Sequence, residues 1–493
     1  MRQLRITRIY LEVCRGGHYS NLETLRSARD FFRQNGIETA GGITTTPGPG
    51  YGVPSNRSRF SMNYEAPETL SALRETAERT ASEFDEFIVD DFLMTSDESE
   101  LSVKAKGDRS WSLYRLELMT RIARDCIIHP ARTKNPGVKI TIKYPQWYDR
   151  FHVYGYNVIT EPEMFDRVWV GTETRDPETP RFGYTQPTEG FINYSWLASL
   201  AGQKIGGAWF DTIECSADHF LMQAYQSILA GAKEITLFNL EDVVSGSPPL
   251  SRFRERRDSL DQLAALVGDR KNRGVMCYKP PHSDPGRDIY LFDFLAVLGI
   301  PVEMTGRAPE QVDTILLTAH SASDPEIVTR AKKWAQAGAQ VAATPGFMEA
   351  AARMTGSPVE EGLFRLVEIS TLSDEEFSPA REMFLTPVHL PIPEWTKEKA
   401  DEFRGQFSLP IPCKVEGAPP FGLHVFGKDT LVLSNFRPEP KKVAFIFEHG
   451  KTAQLDLDDR FHAAEGAVVS VNGSTGWQVT VPAWDLVVLR ATF

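Results

Sequence analysis

Short apolar runs recur through the first half of the chain, and stretches of helical spacing separate them. Ile6–Val13, Glu38–Thr46, Phe84–Phe92, Val138–Tyr144, Phe165–Gly171, Ile205–Ile213 and Glu234–Phe238 read as buried strands. Leu22–Gln34 has helical spacing between the first two. The clearest unit is residues 205–240. An apolar strand runs into a polar loop at Glu214. A helix follows over His219–Ala232, with Phe220, Tyr225, Ile228 and Leu229 apolar and Gly231 near its end, and a second strand closes the unit. A strand–helix–strand unit of this length is a parallel crossover. Repeated along the chain, it predicts an α/β fold of the (β/α)8 TIM-barrel type. Seven strands are legible rather than eight, so the barrel is expected to be incomplete or to contain one irregular strand.

The pattern changes after residue 270. Glu241–Pro249 reads as a loop and Arg252–Val267 as the last barrel helix, with Arg252–Arg257 on its solvated face. Gly274–Tyr278, Ile300–Met304, Thr314–Thr318 and Gln340–Ala343 read as strands. They alternate with helices at Ile289–Leu298 and Asp324–Ala337, and Pro345-Gly346 follows. This predicts a small Rossmann-like, doubly wound domain over residues 271–374. Ala319, His320 and Ser321 follow the third strand, with no cysteine elbow and no glycine-rich loop. The domain is therefore expected to serve structure or oligomerisation rather than catalysis. Residues 375–419 are rich in proline and charge and read as a surface connector. From residue 420 to 493 the alternation has period two, with Gly and Asn-Gly punctuation, which predicts an antiparallel β-sandwich.

Composition narrows the classes. The 493 residues suffice for several domains, and 41% hydrophobic content marks an ordinary globular protein. A net charge of −12 without a basic block disfavours nucleic acid. There is no apolar run long enough to span a membrane and no secretory leader pattern. Five scattered cysteines point to a reducing cytoplasm rather than a disulfide framework. No metal-ligand spacing is present, and no cofactor is expected.

Acids, bases and aromatics gather at the strand ends, where TIM barrels keep their chemistry. Glu12 ends the first strand, Asp90 and Asp91 the third, and Lys143 and Tyr144 the fourth, with Trp147 just beyond. Glu173 and Arg175 follow the fifth; Trp209, Asp211 and Glu214 lie on or after the sixth. Any one of these acids could merely cap the next helix.

The layout of barrel, Rossmann-like domain and β-sandwich is similar to glycoside hydrolase family 42. The sharpest local match is Glu214 followed by MQAYQSILAGAKEITLF at Met222–Phe238. That family places a nucleophile glutamate at the end of barrel strand 7, before a helix of this kind. The resemblance implies that the first strand here corresponds to the family's strand 2. It also implies Glu214 as nucleophile and a trimer built on the Rossmann-like domain. One departure is plain: the family's Asn-Glu acid/base site reads Val89-Asp90-Asp91-Phe92 here.

Glycoside cleavage needs one carboxyl that donates a proton and one that stays ionised. Asp91 is the expected acid and Glu214 the expected nucleophile, or the base if the enzyme inverts. Substrate contacts are expected from Glu12, Asp90, Lys143, Tyr144, Trp147, Glu173, Arg175, Trp209 and Asp211, with a small oligosaccharide or glycoside as partner. Two other readings stand beside this one. In the first, a lyase or isomerase for an acidic sugar uses Lys143 or Tyr144 as base and Arg175 as clamp. In the second, the protein binds carbohydrate without catalysis.

Overall fold

The computed structural model describes residues 2–90, 92–179, 185–369, 394–447, 454–458, 460–461, 466–471 and 474–492. The chain divides into two compact units, residues 1–171 with 200–207, and residues 172–199 with 208–493.

The first unit carries strands β1 (Arg8–Arg15), β2 (His18–Tyr19), β3 (Glu38–Thr44), β4 (Glu86–Asp90), β5 (Lys139–Tyr144) and β6 (Arg167–Gly171). β1, β3, β4, β5 and β6 pair in parallel, in sequence order. β7 (Ile205–Asp211) and β8 (Glu234–Phe238) follow in the chain. These are the seven barrel strands legible in the sequence, with β2 added as an antiparallel hairpin partner of β1. β4, β5 and β6 are buried over most of their length, as strands of a covered parallel sheet are. Gly41 on β3 shows how tight that cover is: a Cβ there would lie 2.9 Å from Phe84 and 3.0 Å from Thr80. The register of β1 slips between Glu12 and Cys14, a bulge that re-aims the end of the strand.

The second unit contains β8, the helix Ala217–Leu229 and everything that follows. Ser216 caps that helix by accepting the His219 N–H at 3.2 Å. β9 (Asn272–Arg273) leads into β10 (Val275–Tyr278), β11 (Val302–Thr305), β12 (Thr314–Leu317), β13 (Gln340–Ala343) and β14 (Arg365–Leu366). The last five form a parallel sheet in the order β11-β10-β12-β13-β14. Its core includes Ile315, Leu317, Ile327, Trp334, Val341 and Phe347. Pro345-Gly346 follows β13 and Thr344. It opens a helix, Pro345–Thr355, whose first turn is capped by Thr344 Oγ1 accepting from Phe347 N at 3.0 Å. Proline suits that first position because its missing N–H would have no partner there.

The remaining strands are β15 (Cys413–Glu416), β16 (Phe421–Phe426), β17 (Thr430–Asn435), β18 (Lys441–Phe447), β19 (Gln454–Leu457), β20 (Gly466–Val471), β21 (Ser474–Val481) and β22 (Leu486–Thr492). They build two antiparallel sheets, β15-β18-β21-β20 and β19-β22-β17-β16-β9, around one shared core. The end of the expected Rossmann-like domain, 370–374, lies outside the described residues, as does part of the expected connector, 375–393. The rest is not a bare surface linker, because it holds the helix Lys397–Arg404 and β15. Arg404 is buried there, donating to the carbonyls of Val415 at 3.0 Å and Gly417 at 2.6 Å. The expected loop 241–249 also contains a short helix, Leu240–Ser245. Among the described residues, no helix is long and apolar enough to cross a membrane.

Candidate functional site

In the first unit the strand ends assemble a chain of alternating charge. Arg15, beyond the β1 bulge, pairs with Glu12 and reaches Asp90 Oδ2 at 3.4 Å. Asp90 ends β4, and its other oxygen lies 3.3 Å from Lys143 Nζ on β5. Only 4% and 5% of the Lys143 and Asp90 side chains are exposed. Buried charges of this kind persist only when paired. Burial pushes the Glu12 carboxyl upward, and the Asp90 charge adds to this while Arg15 opposes it. Part of that effect is lost to solvent, since 42% of the Glu12 side chain is exposed.

Two further expected contacts of this unit, Tyr144 and Trp147, sit in different settings. Tyr144 is fully buried, and its hydroxyl donates to Glu161 Oε2 at 2.9 Å. It faces the core because β5 alternates and Lys143 takes the opposite face. Burial pushes the Glu161 carboxyl up to about 8. Trp147 is half-buried, with its ring 4.9 Å from Phe92 and 6.1 Å from Tyr154. Asp91 lies outside the described residues.

In the second unit, β7 ends at Asp211 and the chain turns sharply. Ile213 N donates to Asp211 Oδ1 at 3.1 Å, and Glu214 then takes a left-handed backbone, φ +51°. Few large residues adopt that region without a constraint. Thr179 Oγ1 donates to Glu214 Oε2 at 2.8 Å. Arg175, also left-handed at φ +52°, grips Asp211 with two bonds of 2.9 and 2.6 Å. These two expected sugar contacts are therefore partners of one another. Gln223 in the following helix ties them together: its Oε1 accepts from Arg175 N and its Nε2 donates to the Asp211 carbonyl, both at 3.1 Å. Glu173 is buried nearby, and its charge acts on Arg175. Trp209 is buried with its ring 5.7 Å from Phe238. Sequence reasoning missed Thr179 and Gln223. For Gln223 a signal existed, a polar side chain on the buried face of an apolar helix.

The Rossmann-like region places polar groups at its strand ends too, but they serve one another. Asp288 accepts from Ala319 N at 2.8 Å and Thr344 Oγ1 at 2.7 Å, and His320 Nδ1 lies 2.9 Å from Ser283 Oγ. Among the described residues, no group of three or more His, Cys, Asp or Glu side chains could hold a metal ion.

A family model described as "Probable glycosyl hydrolase, catalytic domain" matches residues 1–269. The chain belongs to this family. The match takes in both charged clusters and all seven barrel strands. An uncharacterized protein of Saccharolobus solfataricus is 28% identical over 350 residues, 64% of this chain and 57% of that protein. The chain thus spans little more than half the length of this curated relative. Among solved structures, a catalytic mutant of a family 42 β-galactosidase from G. stearothermophilus superposes with a TM-score of 0.61 at 11% identity. The α-L-fucosidase isoenzyme 2 of Paenibacillus thiaminolyticus gives 0.60 at 10% identity. Each superposition covers 99% of this chain and 94% of the other, so the likeness is one of fold.

Proposed function

We propose that the protein hydrolyses glycosidic bonds of small oligosaccharides or glycosides, with Glu214 as the essential ionised carboxylate. The observation that carries this reading is the geometry of Glu214: just beyond β7, inside the family match, left-handed, and held by Thr179. A hydroxyl donor on one oxygen fixes the carboxylate while leaving it charged, which suits a nucleophile or a base. Asp91 is the proposed general acid. Its neighbour Asp90 is engaged by Lys143 and Arg15 and suits a fixed charge that positions the site. Glu12 is the second candidate for the acid, because burial and the Asp90 charge both raise it.

The family 42 kinship belongs to the same proposal, supported by the shared architecture and by the Met222–Phe238 match. The Rossmann-like region is the proposed assembly surface. The acidic-sugar lyase loses support, because Arg175 is held by Asp211 and Tyr144 is buried on Glu161.

The test is turnover of a panel of aryl glycosides and oligosaccharides by wild type and Glu214→Gln. The expected result is release of sugar by wild type, a fall of about 1,000-fold or more in the variant, and an unchanged circular dichroism spectrum. The first anomer seen by NMR separates retention from inversion. Thermal stabilisation by a sugar with no turnover would instead favour the binding protein.

A further inference from the structure

Six non-glycine residues among the described residues have positive φ, and Arg175, Glu214 and Trp484 are three of them. All three belong to the second unit. Trp484 lies in the turn between β21 and β22 of the sandwich, far from the others in sequence. Its left-handed backbone, φ +46°, is held from both sides: its N–H donates to the Arg437 carbonyl at 3.0 Å, and its carbonyl accepts from Arg252 Nη1 at 3.3 Å. A bulky residue persists in that region only where its surroundings over-determine it.

The fastening around it is extensive. Asp485, 1% exposed, accepts from Tyr225 OH at 3.0 Å, Arg252 Nη2 at 3.1 Å and Arg256 Nη2 at 2.5 Å. Tyr225 lies on the helix that begins just after Glu214, so the sandwich grips that helix directly. Arg437 pairs with Glu178, the residue before Thr179, which donates to Glu214. The held indole packs edge to face on His219, with ring centroids 4.8 Å apart. His219 Nε2 in turn lies 3.9 Å from Asp176 Oδ1. Trp484 is only half-buried, and Asp176 retains 36% of its side-chain surface.

We propose that Trp484 is a specificity-determining residue, which together with His219 and Asp176 forms a subsite for a saccharide unit adjoining the bond cleaved at Glu214. The inference rests on the glycosidase reading above. An indole presents an apolar face to a pyranose ring, and a half-buried aromatic beside polar groups matches the make-up of a sugar pocket. Burial lowers the His219 imidazole and so favours its neutral form; Nδ1 accepts from Ser216 N at 3.4 Å, which leaves Nε2 as a donor to a hydroxyl group. The β-sandwich thus contributes to substrate choice.

The test compares wild type, Trp484→Ala and Trp484→Phe on an oligosaccharide and on an aryl monoglycoside of the same sugar. In Trp484→Ala, KM for the oligosaccharide is expected to rise roughly tenfold, while KM for the aryl monoglycoside stays within about twofold. Trp484→Phe, which keeps an aromatic face, recovers most of the loss. Equal change with both substrates, or no change with either, overturns the proposal. If Trp484→Ala does not fold, titration of the oligosaccharide into Glu214→Gln with and without Trp484→Phe decides. Weaker binding of about two- to threefold supports the subsite and equal binding overturns it. Full activity in Glu214→Gln, or no turnover by wild type, removes the underlying reading and this inference with it.

Discussion

The two carboxylate clusters at the strand ends solve different problems. In the first unit, Glu12, Arg15, Asp90 and Lys143 alternate in sign along neighbouring strands, and each charge answers the next. In the second, Arg175 and Asp211 close on one another, and Glu214 is set apart on a strained turn with a threonine donor. A self-neutralising row of charges suits hydroxyl recognition and a steady field. A carboxylate held off the regular backbone suits attack on a substrate. The contrast teaches that strand-end acids are not interchangeable: backbone conformation and the identity of the partner separate candidates that sequence position treats alike.

The comparison is broken most severely by altering the proposed acid. Asp91→Asn is expected to cut kcat by roughly 100- to 10,000-fold on substrates with poor leaving groups, and far less on activated aryl glycosides. If Asp91→Asn is silent and Glu12→Gln shows that pattern, the acid role moves to the charged row.

Next in size is the closed pair. Asp211→Ala removes the doubly bonded partner of Arg175, a guanidinium with 13% of its side chain exposed, and is expected to cost about 3–5 kcal/mol in urea unfolding. The surface pair Arg8–Glu38, whose glutamate is 69% exposed, gives the contrast: Glu38→Ala should cost no more than about 1 kcal/mol.

Two buried titrating groups give the units opposite responses to pH. In the first, Glu161 is raised by burial from the ordinary 4.5 to about 8. The folded state prefers the neutral acid, so this contribution is complete below pH 4.5 and is lost as pH rises toward 8. The loss amounts to about 3 kcal/mol by pH 7. Glu161→Gln should flatten that decline in urea titrations from pH 5 to 8. In the second, burial lowers His424 from 6.5 to about 3, and neither ring nitrogen has a hydrogen-bond partner among the described residues. Its ring packs on Phe191 with centroids 4.5 Å apart. The neutral form is favoured in the fold, so its contribution is complete above pH 6.5 and fades as pH falls toward 3, by about 2 kcal/mol at pH 5. His424→Phe should remove that acid sensitivity; an unchanged acid-unfolding curve would contradict it.

Much of the fold was legible because parallel strands are buried on both faces and read as apolar runs. Glu234–Phe238 and Gln340–Ala343 match the structure residue for residue, as does the helix Leu22–Gln34. The helix at Pro345 was hidden because proline reads as a breaker until Thr344 is seen as its cap. The site was legible as a set of strand ends but not as a set of partnerships. Nothing local says that Arg175 will meet Asp211, 36 residues on. The Arg252–Arg257 run read as a solvated face, yet Arg252 and Arg256 converge on Asp485, more than 200 residues away. Tyr144 and Lys143 are neighbours, and only the fold shows which of them turns inward. Family resemblance supplied Glu214, and the left-handed turn gave that residue a physical reason to stand out.

The central claim is most directly tested by chemical rescue. Glu214→Ala would be assayed on a cleavable aryl glycoside with and without sodium azide, and the product identified by NMR. The account predicts an inactive variant whose turnover returns with azide, yielding a glycosyl azide, because the small anion fills the space of the missing carboxylate. A variant that turns over like wild type without azide would contradict the account, as would an inactive variant that azide leaves unchanged.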